Sequence, residues 1–200
     1  MASLHKDIDI LKYEPNLFAS GTLYAAQSYG KGANGTLSGS TLTVTGGNFQ
    51  TVGVQAGHVV LLQSLDGMIN GAYEIAAVVS NTVLTVSALR AETTDPVIPI
   101  GTGSGLIWRI MTFAPQAAQA AFGLSQQMGL KPGCPESLYG FDDLTDASVL
   151  KQASVFMALA IIYGGLYGSG TEESDVWNAY KAKQENYAAC AEAAIGRCRL

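Results

Sequence analysis

The sequence predicts an α+β protein: a small helical bundle of three to four helices with an inserted small β-barrel or β-sandwich domain. Apolar residues follow helical spacing in residues 114–200, whereas apolar and polar residues alternate in residues 22–113. Short turn sequences separate the alternating runs, as in a meander of strands. We therefore expect residues 1–21 to form an N-terminal segment that packs with the bundle. Residues 22–113 would form the β domain, and residues 114–200 the bundle with a long C-terminal helix and tail.

The centre of the predicted bundle is the stretch Asp146–Leu166, which has apolar residues at helical spacing. Asp146 suits an N-cap position, and Gly164–Gly165 suits a helix end. The segment Val155–Tyr163 is apolar on every face, so we expect other helices to surround it. The uncharged run 152–171 is long enough for a membrane span. Its glycines, serines and glutamine favour a buried helix of a soluble protein instead.

Two further helices are predicted to pack against this central one. Pro115 suits the first turn of the helix before it, and Gly129 suits that helix's end. The last helix starts near Thr171 and runs for about 27 residues, or about 40 Å. That length exceeds what a three-helix core needs, so we expect part of it to pack on something else. Its stripe consists of Trp177, Tyr180, Gln184, Tyr187, Ala191, Ala194 and Cys198.

The β domain is predicted to contain seven short strands with hairpin turns between them. Asn-Gly and Asp-Gly pairs at the turns tolerate positive φ. Residues Ala91–Gly105 hold two prolines and a glycine-rich run, and we expect a long mobile loop there. The predicted strands are Thr22–Tyr29, Gly35–Ser38, Thr41–Thr45, His58–Gln63, Ala72–Val79, Thr82–Ser87 and Leu106–Phe113.

Two glycine-rich runs carry partial nucleotide-binding patterns. Gly30–Gly35 matches G-x-G-x-x-G, but a dinucleotide site needs a helix after the motif and an acidic residue about twenty residues later. A predicted strand follows here, so a hairpin loop is favoured. Gly101–Gly105 lacks the Lys-Ser/Thr ending of a phosphate-binding loop. We expect no cofactor site in either run.

Titratable residues form no pattern that is typical of a catalytic or metal site. The two histidines, His5 and His58, could complete a hydrolase site only if folding brought one of them to a nucleophile or an acid. Acidic residues before the central helix could bind a cation, but helix capping and dipole roles are favoured. We expect no enzyme activity, no catalytic residues, no cofactor and no metal. The acidic residues are Glu136, Asp142, Asp143 and Asp146.

Composition and charge exclude several classes of protein. With 48% apolar and 14% charged residues in 200, the chain is expected to be globular rather than disordered. Its net charge of −5 is spread out and no segment is basic, so a phosphate-driven grip on nucleic acid is not expected. The N-terminus lacks the apolar core of a secretory signal. The three cysteines, Cys134, Cys190 and Cys198, have no C-x-x-C spacing, and we expect reduced thiols in the cytosol.

Six short phrases spread over nearly the whole chain carry a family resemblance. They are DILKYEPNLF at Asp9–Phe18, GVQAGHVV at Gly53–Val60, NGAYEI at Asn70–Ile75, LTVSALR at Leu84–Arg90, MTFAPQ at Met111–Gln116 and ALAIIY at Ala158–Tyr163. With the order of the predicted parts, they resemble the neck proteins of tailed bacteriophages, the head–tail connectors or adaptors that dock beneath the portal. None of the phrases is a catalytic signature.

The resemblance implies a helical bundle with an added β domain and a structural role without catalysis or cofactor. It implies a homo-oligomeric ring, usually a dodecamer, that extends the portal channel. Its partners would be the portal protein, a tail or tail-terminator protein, and DNA that passes without sequence-specific binding. No membrane is involved. The protein would lie in the neck of the virion and assemble in the host cytoplasm.

The expected interface lies on the last helix and on one loop. The helical spacing favours a core role for Trp177, Tyr180 and Tyr187. A role as interface anchors is the second interpretation. We expect the C-terminal end of the chain, with Arg197, Arg199 and Leu200, to reach a neighbouring subunit or the portal. Ala91–Gly105 would be an inter-subunit or tail-facing arm.

Three alternatives remain open from the sequence. The first is another ring protein of the virion, such as a tail terminator or a baseplate component. The second is a ligand- or carbohydrate-binding β module on a helical stalk. The third is a hydrolase, for which the candidate groups are His5, His58 and the acids around Asp142.

Overall fold

The computed structural model describes residues 4–19, 27–130, 147–168 and 175–198. It confirms a protein of mixed helix and sheet: the described residues form a closed six-stranded β-barrel and five α-helices. Residue contacts divide the chain into two compact units. One unit is Lys6–Phe113, and the other combines Met1–His5 with Ala114–Leu200. The three domain boundaries expected from the sequence stay a prediction.

The barrel closes because every strand pairs with two neighbours, in the order β1-β2-β5-β4-β3-β6, and β6 returns to β1. All six pairings are antiparallel. Alternation puts one side of each strand inside, as in β2, where Leu42 and Val44 are buried between exposed threonines. The strands are β1 Ser28–Gly39, β2 Thr41–Val44, β3 Val59–Gln63, β4 Asn70–Val78, β5 Val83–Ser87 and β6 Gly101–Met111.

The predicted hairpin loop at Gly30–Gly35 is wrong, because these residues lie within the long strand β1. Strand β1 pairs with β6, and shifts in register near Gly32 and Gly35 mark bulges. Glycine at these positions leaves space for the side chain of Trp108. A Cβ atom on Gly32 would lie 2.7 Å from Nε1 of Trp108, and one on Gly30 would lie 3.2 Å from the same ring. The G-x-G spacing therefore makes room for an inward-facing tryptophan.

The expected loop Ala91–Gly105 is wrong over its last part, because Gly101–Gly105 opens strand β6. Residues 91–100 lie outside strands but make specific hydrogen bonds. The Ile98 amide donates to the Ser87 hydroxyl at 2.8 Å, and the Lys12 ammonium donates to the Ala91 carbonyl at 2.7 Å. The expected role of this loop as an arm stays a prediction.

Two short helices, α1 Asp7–Leu11 and α2 Asn16–Ala19, belong to the unit of the barrel. The Phe18 ring meets Phe113 edge to face, with 5.2 Å between ring centroids. The sequence led us to expect that residues 1–21 would pack with the helical bundle. Within the described residues, Leu4 and His5 are the part of this segment that belongs to the helical unit. Nδ1 of His5 lies 2.8 Å from the Ser154 hydroxyl.

The helical unit contains α3 Ala114–Gln127, a 3₁₀ helix Ala147–Leu150, α4 Lys151–Gly168 and α5 Asp175–Cys198. The predicted end of α3 is confirmed, because Gly129 has φ +75° just beyond it. Helix α4 packs against both α3 and α5. Among the described residues, the stretch Ser148–Gly168 is long and apolar enough to cross a membrane, and 56% of an 18-residue window within it is buried inside the protein. The core helix of a soluble protein meets the same criteria.

Candidate functional site

An open apolar groove runs along α4 between α3 and α5. Its volume is about 370 Å³. Gln127 closes one edge, and Gln184 and Glu192 form a polar edge on the other side. The remaining lining is apolar or glycine: Met157, Ala160, Ile161 and Gly164 of α4, with Ala188, Ala191 and Ile195 of α5.

The described residues leave one face of α4 uncovered at this groove, whereas the sequence led us to expect helices around every face. Leu159 and Ile162 are fully buried, but Ala160, Ile161 and Gly164 are half-buried. Helix α4 is apolar around its whole circumference, whereas two neighbouring helices cover only part of it. Among the described residues, its third side therefore stays uncovered and forms the floor of the groove.

Aromatic side chains join α4 to α5 and account for three of the predicted interface residues. Trp177 packs on Tyr167 with 4.4 Å between ring centroids, and Tyr180 lies 5.9 Å from Tyr163. Tyr187 stacks on Tyr163 at 5.9 Å and also contacts Phe156. These contacts fit the core role that the spacing favoured first, and each of the three predicted residues stays half-exposed.

The remaining predicted interface residues lie at the C-terminal end. Arg197 donates to the side-chain oxygen of Gln152 at 3.3 Å, which ties the end of α5 to the start of α4. Arg199 and Leu200 lie outside the described residues, as do Cys134 and the acidic residues between 136 and 146.

Of the two candidate histidines, His5 has its Nδ1 2.8 Å from the Ser154 hydroxyl, and both of these residues are buried within the described ranges. No group of three or more His, Cys, Asp or Glu side chains in these ranges could hold a metal ion. His58 stacks on Tyr29 at 4.9 Å, and its Nδ1 accepts the Gln55 amide at 3.1 Å. Burial, aided by the nearby Lys6 charge, lowers the pKa of His58 to about 4, so the ring is neutral at pH 7.

The barrel buries one ion pair. Glu74 and Arg90 pair through two hydrogen bonds, of which Arg90 Nε to Glu74 Oε2 measures 3.1 Å. Their side chains are 3% and 6% exposed, respectively. Arg90 also donates to the Asp95 carbonyl and so holds residues 91–100 against the barrel. The hydrogen bonds that Arg90 donates to Glu74 raise the pKa of Arg90, so the guanidinium stays charged.

A second buried carboxyl, Asp7, makes stability depend on pH. Its Oδ1 accepts the Phe113 amide at 2.8 Å, and burial raises the pKa of Asp7 from 3.8 to about 6. The folded state therefore holds the proton more tightly than the unfolded state. The stability that protonation adds is full below pH 4 and is lost as the pH rises through 6, a change of about 3 kcal/mol.

We expect Asp7→Asn to abolish this loss between pH 4 and pH 7. Urea denaturation of the wild-type and variant chains at intervals of pH measures it. Asp66→Asn is the matched control, because hydrogen bonds from the Ser64 hydroxyl and the Met68 amide lower the pKa of Asp66. That control removes a contribution of the opposite sign, one that is lost as the pH falls. Parallel profiles for Asp7→Asn and the wild type would contradict the assignment.

One end of the barrel carries an exposed turn beside a small pocket. The turn between β3 and β4 runs from Ser64 to Ile69, and Leu65 and Met68 project from it. The pocket has a volume of about 340 Å³ and is lined by these residues and by Thr102, Gly103 and Ser104 of β6.

Neither the groove nor this turn was identified from the sequence as a site. The signal for the turn was present, since Asp66-Gly67 is a turn pair that stands between two large apolar residues. No family model, curated protein or solved structure matches the chain.

Proposed function

We propose that this chain is a structural virion protein: a head–tail adaptor that forms a ring beneath the portal, extends the DNA channel and offers the docking platform for the tail. The observation that carries the proposal is the apolar groove on α4, which no described residue covers, because exposed apolar surfaces of this kind are typical of protein-binding sites. The buried Glu74–Arg90 pair and the buried Asp7 carboxyl bond to groups of the barrel unit itself, which suits a non-catalytic role. The resemblance of the sequence to neck proteins supplies the class of partner.

In the finer architecture that we propose, α3, α4 and α5 form a helical bundle and the barrel is an insertion ahead of it. In this arrangement, the open side of α4 is the surface that a partner covers. The half-exposed aromatic side chains Trp177, Tyr180 and Tyr187 would hold α5 in place against α4 at that interface.

The proposed partners are the portal protein, a tail or tail-terminator protein and about twelve copies of this chain, the number that the resemblance implies. Assembly takes place in the host cytoplasm, and the ring then lies in the neck of the virion. The net charge of −5 suits a channel that DNA crosses without sequence-specific binding. A ring map with a strongly basic lumen would contradict this part of the proposal.

Negative-stain imaging of the purified chain with the portal from the same genome tests the proposal. We expect rings that cap the tail-facing end of the portal. Binding to the tail tube in place of the portal would instead assign the chain as a tail-terminator or baseplate ring protein. No association at any salt concentration would overturn the proposal.

Deletion of Arg197–Leu200 should weaken portal docking by about tenfold or more without unfolding the chain. Within this segment, Arg197 makes one exposed hydrogen bond to Gln152, and the Cys198 thiol donates long hydrogen bonds to the carbonyls of Val149 and Ala194. These bonds are weak, so little of the fold depends on the segment. Circular dichroism checks the fold and a portal pull-down measures docking. Gln152→Ala is the matched control, because it removes the same hydrogen bond and leaves the C-terminal end intact. Unchanged docking after the deletion would rule out this role.

The polar pocket at the end of the barrel favours a second candidate function, a ligand- or carbohydrate-binding module. Four residues with hydroxyl or carboxylate side chains line it, namely Ser64, Asp66, Thr102 and Ser104. A glycan array with the purified chain tests this candidate. Binding that Thr102→Ala abolishes would support it, and a blank array would remove it.

A further inference from the structure

The turn between β3 and β4 presents two apolar side chains to solvent. Leu65 is 93% exposed and Met68 is 84% exposed, the highest values among the large apolar side chains of the described residues. Two neighbouring apolar groups of this size are costly to leave in water. Their position at a turn makes them a compact projecting knob.

The backbone under the knob is held in one conformation. The Ser64 amide donates to the Ile69 carbonyl at 2.7 Å, and the Ile69 amide donates to the Ser64 hydroxyl at 2.9 Å. The Asp66 carboxylate accepts the Met68 amide at 3.0 Å. The carboxylate therefore turns back to its own loop, while Leu65 and Met68 project. A turn ordered in this way loses little conformational entropy when it binds.

The groove on α4 is the apolar recess that matches this knob. Its volume of about 370 Å³ equals that of roughly twelve water molecules in the liquid. The eight non-hydrogen side-chain atoms of Leu65 and Met68 fit in that space. Met157, Ala160 and Ile161 form an apolar floor, and the polar edges of the groove suit the polar backbone of an entering turn.

We propose that copies of this chain join head to tail, with the Leu65–Met68 knob of one copy seated in the α4 groove of the next. The inference rests on the proposed ring. A knob and a groove on different parts of one chain make a heterologous contact, and such contacts close into a ring when the rotation between copies allows it.

The size of the contact predicts when the ring forms. Stable interfaces bury roughly 1,200–2,000 Å² in total, and two side chains in one groove supply a small part of that area. We therefore expect copies to associate weakly in solution and firmly on the portal, which holds many copies close together.

Photo-cross-linking tests the contact in the assembled complex. Benzoylphenylalanine replaces Leu65, and variant chains labelled with ¹⁵N are mixed with unlabelled chains before the portal is added. We expect mass spectrometry to find cross-links between labelled and unlabelled chains that end on α4 near Ile161. Cross-links confined to single chains, to the portal or to other surfaces would overturn the proposal.

Substitutions give a second, independent test. Leu65→Ser with Met68→Ser removes the knob at fully solvated positions, and Ile161→Glu puts a charge in the groove. Each should lower ring yield on the portal at least about tenfold. Val79→Ser, at a turn where the side chain is also exposed, is the matched control and should form rings as the wild type does.

The outcomes separate this inference from the proposed function. Normal rings from the knob variant would overturn the knob-and-groove contact and leave the adaptor role standing. Absence of rings from the wild-type chain with the portal would overturn both.

Discussion

Glu74→Gln lowers the free energy of unfolding by about 3 kcal/mol, because the Arg90 guanidinium stays buried after its counter-charge is removed. Both side chains are almost fully buried, and two direct hydrogen bonds join them. The neutral amide that replaces the Glu74 carboxylate can still accept a hydrogen bond from Arg90, but it carries no charge. Arg90 also holds the Asp95 carbonyl, so it cannot swing out to water without releasing residues 91–100.

Hydrogen-exchange mass spectrometry of the full chain measures this effect in peptides from β4 and β5. The matched control is Glu74→Met combined with Arg90→Met, which removes both charges at once. Apolar replacement of a whole buried pair is often tolerated, so the double variant should lose less stability than Glu74→Gln. If Glu74→Gln exchanges as slowly as the wild type, the pair does not hold the barrel together.

Trp108→Ala should cost about 3–5 kcal/mol, because it empties the largest part of the barrel interior. The Trp108 ring is 7% exposed, meets Phe49 edge to face at 5.6 Å, and donates from Nε1 to the Asn34 side chain at 3.0 Å. Urea denaturation followed by circular dichroism measures the loss. Trp108→Phe is the matched control and should recover more than half of it, since it keeps an aromatic ring in the core.

The same packing predicts that an added methyl group at Gly32 also destabilises the barrel. Gly32→Ala inserts a Cβ atom 2.7 Å from Nε1 of Trp108 and should cost about 1–3 kcal/mol by overpacking. Gly71→Ala, another strand glycine, meets the Tyr73 ring at an ordinary 3.5 Å and should be nearly neutral. In a Trp177→Phe background, Gly32→Ala should also shift the Trp108 fluorescence. Equal stability of the two alanine variants would contradict the proposed packing of Trp108.

Local signals predicted the helices well. Gly129 ends α3 because glycine accepts the positive φ of a helix end at no steric cost. The uninterrupted apolar run of α4 identified it as a core helix, but the predicted end at Gly164–Gly165 is wrong, because the helix continues to Gly168. The middle strands β2 to β5 also follow from alternation and turn pairs, each within two residues of the prediction.

The long pair of strands β1 and β6 could not be predicted in full. Gly30–Gly35 and Gly101–Gly105 have the composition of loops. Their extended conformation comes from the pairing of β1 with β6, in which Gly30–Gly35 faces Leu106–Ile110 and Gly101–Ser104 faces Thr36–Gly39. That pairing joins residues far apart in sequence, and the fit of Trp108 over Gly32 is part of it. Neither the pairing of β1 with β6 nor the fit of Trp108 over Gly32 can be recognised from the local sequence.

The groove could not be predicted from the sequence for a similar reason. Apolar residues around all of α4 indicate burial, but they do not tell how many neighbours the chain supplies to cover them. The projecting knob could not be predicted either, because a turn pair such as Asp66-Gly67 locates a turn but does not tell which of its side chains face water.

Cryo-electron microscopy of the particle whose genome encodes this chain tests the adaptor role most directly. The account predicts a ring of density directly beneath the portal into which the six-stranded barrel and the helices α3 to α5 fit, with DNA or an open channel through its centre. Density for this chain at the distal end of the tail, or a particle that lacks the chain, would contradict it.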